Sequence, residues 1–300
     1  MSAKILQQVG ERGEGIARLP QRSDETRQRL HDPSARPRHA VGVVEVEDGP
    51  RLHSFPHSLH LQRRSGGPAA LGLHGYPGIG ESVMVGRDLQ IARFEGAPLH
   101  LCHISAAESV AEIRRAKELG VEVTAEVSPH HLCLTDELVR ELDPAVSKIN
   151  PPLRSAADRA ALIEALADGT LDCVATDHAP HRTEEKEVPF EAAANGVIGL
   201  ETAFAALYTH LVAPGLVPLS TLVERMSAGP ARAFALPVPA IRVGEVANLA
   251  LWNLGESWLV APPYASRSRN CAFAGQTLLG RCTMTIADGA IAHRMVEVAR

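Results

Sequence analysis

Val174-Ala-Thr-Asp-His-Ala-Pro-His181 is the stretch on which the fold turns. Leu171 to Thr176 is an apolar run as long as one buried strand, and it stops abruptly at Asp177, His178, Pro180 and His181. A buried parallel strand that delivers an acid and imidazoles at its C-terminal end is how α/β barrels build their sites. An aspartate placed there can ligate a metal and also shuttle a proton. The plainer reading of the same residues is a helix-capping aspartate followed by surface histidines.

The neighbouring sequence repeats the pattern. Upstream, Pro98 to Ile104 reads as a buried strand ending at His103, and Ser105-Ala-Ala-Glu108 reads as a capping box. The helix it opens carries Val110, Ile113, Ala116 and Leu119 on one face and stops at Gly120. Val121 to Val127 alternates as a second strand, with Ser128-Pro-His130-His131 at its end. Glu81 to Phe94 places Val83, Val85, Leu89, Ile91 and Ala92 on an approximate helical stripe. Lys148 to Arg154 is a rigid loop with two prolines, and Ser155 caps a helix carrying Leu162, Ile163 and Leu166 that Gly169 ends. After Asp177, a polar loop over 182–196 closes with Asn195-Gly196, Gly199 to Leu211 is helical, and 219–226 and 230–236 are short helices.

Three strand-then-helix units in a row imply a parallel sheet with right-handed crossovers. They bring His103, His130 with His131, and Asp177 to one rim, where a metal-assisted hydrolytic site is plausible chemistry. Neither a phosphate-binding glycine loop nor a GxSxG elbow is present, which argues against nucleotide-binding and serine-hydrolase chemistry. Beyond Leu236 the texture turns to β. A strand follows Gly244, Leu279 to Ile286 alternates, and Asp288-Gly289 is a hairpin turn before Ala290 to Ala292.

Composition narrows the class. The chain is 45% hydrophobic but only 4% aromatic, so aliphatic residues must build the core. A net charge of -5 points neither to nucleic acid nor to a membrane, and no apolar run approaches the ~18 residues of a spanning helix. Five scattered cysteines without a CxxC pair fit a reducing, cytoplasmic setting and no cysteine metal site. Residues 10–66 differ from everything after them. They hold ten arginines, five histidines and one aromatic residue, and five prolines interrupt them. Only Val41 to Val46 resembles a strand, so the expectation is a disordered arm. Its eight acidic residues, counted from residue 1, offset the arginines and argue against a nucleic-acid arm. His53, His57 and His60 are spaced four and then three apart rather than as His-x-His, and a strand sends residues three apart to opposite faces, so they are not read as a metal cluster.

From about Leu71 to His293 the chain resembles the dihydroorotases of the amidohydrolase superfamily. The resemblance rests on LHLCHIS ending at Ser105, VTAEVSPHHLCLTDE at 123–137, KINPPLR at 148–154, DCVATDHAPH at 172–181, NGVIGLETAF at 195–204 and the Ala-Asn-Leu-Ala-Leu-Trp strand. These segments occur in the family's order and at similar spacing. The resemblance implies a (β/α)₈ TIM-type barrel, here partial, with a small β appendage. The corresponding division is an atypical region 1–70, a barrel portion 71–236 and a β-sandwich remnant 237–300. It also implies reversible ring closure of N-carbamoyl-aspartate to dihydroorotate in pyrimidine biosynthesis, with two zinc ions activating a hydroxide and polarising the carbonyl. His103 would ligate one zinc, and Asp177 would ligate the other and act as base, then acid. Asn150 and His181 would hold the substrate, and Asn195 and Gly196 would contact the ring through their backbone. The resemblance leaves His130 and His131 without a zinc role. Allantoinases and hydantoinases share the architecture, and non-catalytic relatives serve as subunits beside aspartate transcarbamoylase.

Several family parts find no counterpart here: the His-x-His strand with its following arginine, the bridging carboxylate and a further histidine. Met1 to Val9 resembles the helix that follows the bridging acid, so 10–66 reads as a frame-shifted or misjoined segment between two family-like pieces. With only His103 and Asp177 identified as ligands, the expectation is weak zinc binding and little turnover by this chain alone. A partial barrel also leaves a sheet edge open, which favours homo-oligomers or a covering partner.

Overall fold

The structure, a computed structural model, describes residues 42–45, 76–141 and 147–295. Its first layer is a parallel sheet in the order β1 (Gly42–Glu45), β2 (Leu99–Cys102), β3 (Val123–Val127) and β4 (Cys173–Val174). Helices α1 (Gly78–Glu95) and α2 (Ala107–Glu118) precede and follow β2. Between β3 and β4 come α3 (Pro129–Cys133), α4 (Leu138–Glu141) and α5 (Ala156–Asp168). This is the strand-helix alternation expected of a barrel wall. The register runs Leu99 to Val123, His100 to Thr124 and Leu101 to Ala125. The two residues of β4 understate its pairing, because Asp172 N donates to Ala125 O at 2.8 Å and Ala175 N to Val127 O at 3.1 Å.

Leu101, Ile104, Ile113, Leu132, Leu162, Leu166 and Leu207 are fully buried and form the core between sheet and helices. Aliphatic burial at ~25 cal/mol per Å² supplies the drive, as the scarcity of aromatics requires. Beyond β4 come α6 (Thr183–Lys186) and α7 (Ala203–Leu207), which runs on in π-helical geometry over Tyr208–Val212. Then follow α8 (Leu219–Met226) and α9 (Ala228–Ala233). The second layer is an antiparallel sheet, β5 (Leu249–Leu259), β6 (Thr277–Ala287) and β7 (Ala290–Arg294). Asp288 and Gly289 sit at φ 52° and 79°, the left-handed pair that a two-residue hairpin needs. This sheet rests on the barrel portion through Trp252, 4.1 Å from the Phe204 ring, and through Leu279 N, which donates to Thr209 Oγ1 at 2.7 Å.

The one strand-like run of the arm, Val41 to Val46, contains β1, which pairs in parallel with β2; the rest of that arm, with His53, His57 and His60, lies outside the described residues. Two expectations change. The apolar stripe on α1 is narrower than its spacing suggests. Val85, Leu89 and Ala92 are buried, whereas Val83 and Ile91 are more than half exposed. Ser105 does not cap α2. The N-cap is Ala106, and Ser105 instead turns its hydroxyl to Glu81. The hydroxyl oxygen accepts from Arg154 Nε, while the buried Glu81 carboxylate, the stronger acceptor, takes the N–H groups of Ser105 and Ala106. Ser155 caps α5 as expected, in a reciprocal box with Asp158.

Candidate metal and substrate site

The ends of β2, β3 and β4 meet at one rim. His103 and Asp177 both leave their strands at positive φ, 56° and 46°. Non-glycine residues adopt that conformation at a cost of about 1–3 kcal/mol, and they cluster where function demands a particular side-chain aim. In a continuing strand His103 would face away from His100. The left-handed turn brings it to the same acid that His100 contacts.

That acid is Glu126 of β3, which the sequence pattern presents only as the polar half of an alternating strand. Glu126 is buried. Its Oε2 lies 3.3 Å from His100 Nε2, and its Oε1 lies 3.0 Å from His103 Nδ1. Burial works to raise its pKa, but hydrogen bonds from His100 and His103 and the charge of the two rings outweigh it and hold the carboxyl at about 2. Thr124, the cross-strand partner of His100, sits 2.7 Å from His100 Nδ1. The signal available in the sequence was the pairing of His100 with a strand whose inward positions are Thr124 and Glu126, but it needs the register to be read.

On the outer side of His103, Nε2 stands 3.9 Å from Asp177 Oδ1. His130 Nε2 approaches the same carboxylate at 3.8 Å from Oδ2. His130 is fully buried, and its Nε2 makes no hydrogen bond among the described residues. Burial, and then the proximity of His131 and His103, push its pKa well below the usual imidazole value, so it is neutral at pH 7. Two imidazole nitrogens therefore point at one carboxylate from beyond hydrogen-bonding distance. His103 and His130 thus flank the Asp177 carboxylate, one ring at each oxygen, which makes the three residues candidates to share a cation. His130 is the ligand candidate that sequence reasoning left out. His131 plays a structural part instead, contacting Ser128 Oγ at 2.7 Å through Nδ1 and Pro151 O at 2.9 Å through Nε2. A second set of donors, on His100, Cys102 and Glu126, lies within 4.8 Å of one another inside the sheet. A cysteine thus stands among potential ligands, where the spacing of cysteines alone suggested none.

The other expected site residues gather in loops beside this rim. The His181 ring contacts Asn195 O at 2.6 Å through Nε2. Gly196 N donates to Lys148 O, two residues before Asn150. Lys186, buried despite its charge, donates to Lys148 O at 3.2 Å and Ala194 O at 2.8 Å. Asn270 Nδ2 donates to Ala179 O and Gly196 O. Gly196 stands at φ 122°, and a Cβ there would meet that of Ala179 at 2.3 Å. The expected backbone contacts of Asn195 and Gly196 to a ligand ring therefore have competitors: the Gly196 N–H and both carbonyls already hold protein partners. Asn150 is half-buried at the head of the same loop.

Arg154 ties loop to rim. Its Nε donates to Ser105 Oγ at 2.9 Å and its Nη2 to Glu81 Oε2 at 3.2 Å. A third hydrogen bond runs from Nη1 to Tyr76 O. Glu81, completely buried, also accepts from the backbone N–H groups of Ser105 and Ala106, each at 3.0 Å.

Comparison with known proteins bears on the family and the fold. The Amidohydrolase family model matches residues 66–292. A dihydroorotase of Listeria monocytogenes is 46% identical over 228 residues, 76% of this chain and 53% of that protein. A dihydroorotase of Syntrophus aciditrophicus is 48% identical over 225 residues, 75% and 52% of the two chains. Among solved structures, L-hydantoinase of Arthrobacter aurescens superposes with a TM-score of 0.72 at 27% identity, covering 87% of this chain and 58% of that one. Dihydropyrimidinase of Brevibacillus agri gives 0.71 at 24% identity, covering 85% and 57%. The chain spans about half the length of the curated relatives it matches.

Proposed function

The chain belongs to the amidohydrolase family, and from that premise we propose that it carries the C-terminal half of a dihydroorotase-type site for cyclic amides. The substrate pair is dihydroorotate and N-carbamoyl-aspartate. The observation that carries this reading is the placement of His103 and His130 on either side of the Asp177 carboxylate, 3.9 Å from Oδ1 and 3.8 Å from Oδ2. The names and identity of the dihydroorotase relatives support the choice of substrate over hydantoins.

Zinc held by His103, His130 and Asp177 would supply Lewis-acid polarisation of the ring carbonyl. Asp177 takes the proton that the attacking water loses as it adds to the carbonyl carbon. It returns that proton to the ring nitrogen as the C–N bond breaks, and ring closure reverses both transfers. His181 and Asn150 orient the substrate from the loop side. His103, His130 and Asp177 would supply the ligands of one cation; the second family zinc would need ligands beyond these three.

Hydrolysis of dihydroorotate by the purified chain with zinc supplied, alongside its metal content, tests this reading. Turnover that disappears on chelation supports it. A second reading, a non-catalytic subunit for a transcarbamoylase or for a second copy of the chain, is favoured by the short donor set. Co-purification of such a partner with no zinc and no turnover would decide for it.

A further inference from the structure

We infer that Asn270 is a positioning residue for the substrate: its side-chain amide locks the loop that carries His181 to the loop that carries Asn195 and Gly196. The inference rests on the substrate roles proposed for those loops, whereas the lock itself is a matter of hydrogen bonds. Asn270 comes from a distant part of the chain, the segment before β6, and only 5% of its surface is exposed. Its Nδ2 donates to Ala179 O at 3.0 Å and to Gly196 O at 2.9 Å. A primary amide has two N–H bonds and a carbonyl oxygen can only accept, so both bonds are used and the amide can face only one way. Its Oδ1 meets the Ser268 hydroxyl. Ser268 Oγ in turn accepts from His181 N at 3.2 Å and lies 2.7 Å from His181 O.

The backbone around the amide explains how one side chain reaches both loops. Val197 bridges in parallel to His178 and Ile198 to Cys271, so residues 196–198 run between the other two segments. Ala179 N donates to Val197 O at 2.9 Å and Ile198 N to Asn270 O at 3.0 Å. The Asn270 side chain crosses the middle segment at Gly196, where a Cβ would stand 2.3 Å from that of Ala179 and 3.5 Å from Ala179 O, the oxygen the amide holds. Beside this crossing, His181 Nε2 donates to Asn195 O at 2.6 Å. Without the amide, the buried Gly196 carbonyl and that of Ala179 lose this donor, which favours parting of the loops. The separation of His181 from the Asn195-Gly196 backbone, the outline that a ring substrate meets, is then no longer set.

The test compares the full chain with Asn270→Asp, which keeps the shape of the side chain but sets an oxygen against two carbonyl oxygens. Calorimetric titration with dihydroorotate, without metal so that no turnover intervenes, is expected to show binding at least about 10-fold weaker in the variant. Titration with Co²⁺ alone, followed by visible absorption, is expected to agree with the parent within about twofold. Hydrogen exchange at the amides of Ala179 and Ile198 is expected to quicken, while exchange at Asp172 and Ala175, bonded within the sheet, stays as in the parent. Equal affinity for dihydroorotate would overturn the inference. So would a fall in Co²⁺ affinity as large as that for dihydroorotate, which is what a general loss of structure produces. If Asn270→Asp does not fold, the same measurements on Ser268→Ala decide, because that change frees the oxygen end of the amide. If the parent binds no dihydroorotate, the proposed function fails, while exchange at Ala179 and Ile198 still settles whether Asn270 locks the loops.

Discussion

The rim around Asp177 and the loops around Gly196 lie side by side but are built by opposite means. At the rim, side chains meet from the ends of β2, β3 and β4: His103 lies 3.0 Å from Glu126, and the rings of His103 and His130 flank the Asp177 carboxylate at 3.9 and 3.8 Å. In the loops, the backbone is gathered: Lys148, Lys186 and Asn270 donate to carbonyls at 179, 191, 193, 194 and 196 and to that of Lys148 itself. The first construction sets a carboxylate between two imidazole rings, which suits a cation. The second satisfies loop backbone internally and fixes the outline of a pocket wall. A site of this kind separates chemistry from shape, and changes in one region should be felt only weakly in the other.

The largest effect should come from the chemistry. Asp177→Asn keeps the shape of the rim and removes its base, so hydrolysis of dihydroorotate should fall by about 10²–10⁴-fold with the melting temperature little changed, as steady-state rates and thermal melts would show. Next comes the pin between the regions. Arg154→Ala strands Glu81 as a buried, unpaired carboxylate and should cost about 3–5 kcal/mol in denaturant unfolding. A loss under about 1 kcal/mol would mean that loop and rim are not coupled through it. Gly196→Ala should cost about 2–3 kcal/mol, because the added methyl meets Ala179 at a positive φ, yet it should leave Co²⁺ affinity within about twofold. A large fall in Co²⁺ affinity would erase the separation of the two regions.

The smallest effect is on pH dependence. Burial, above the compensating bond to Pro151 O and the charge of Glu81, lowers His131 to about 4, and His130 is lowered as well. The unfolded chain binds protons near pH 6.5 that the folded chain refuses, so this stability is complete above about 6.5 and is lost as pH falls toward 4. A loss of about 1–3 kcal/mol between pH 7 and 4.5 is expected in urea titrations. Stability that stays flat across that window would show that the paired rings take up protons in place.

Much of this was legible in the residues alone. The strands ending at His103, Val127 and Asp177, the cap at Ser155 and the Asp288-Gly289 turn are local patterns, set by alternation, capping chemistry and left-handed turn propensity within a few residues. So was the meeting of Asp177 and His103 at one rim, where their side chains stand 3.9 Å apart. Ser105 departs from its expected role because the signature of a capping box is local, while the competing acceptor, Glu81, lies 24 residues away. Val83 and Ile91 stay exposed because helical spacing marks a stripe but not its width against a given neighbour.

His130 and Glu126 belong to a different class of information. Whether a strand glutamate faces water or a buried imidazole depends on sheet register, and a one-residue change of register reverses it. Whether His130 faces Asp177 depends on the one-turn helix at Pro129–Cys133 that lifts it to the rim. Local pattern named the strands and the residues at their ends, because periodicity and capping act over one turn. The surroundings of each ring and the buried link from Arg154 to Glu81 came from contacts 24 to 73 residues apart, which no short pattern encodes.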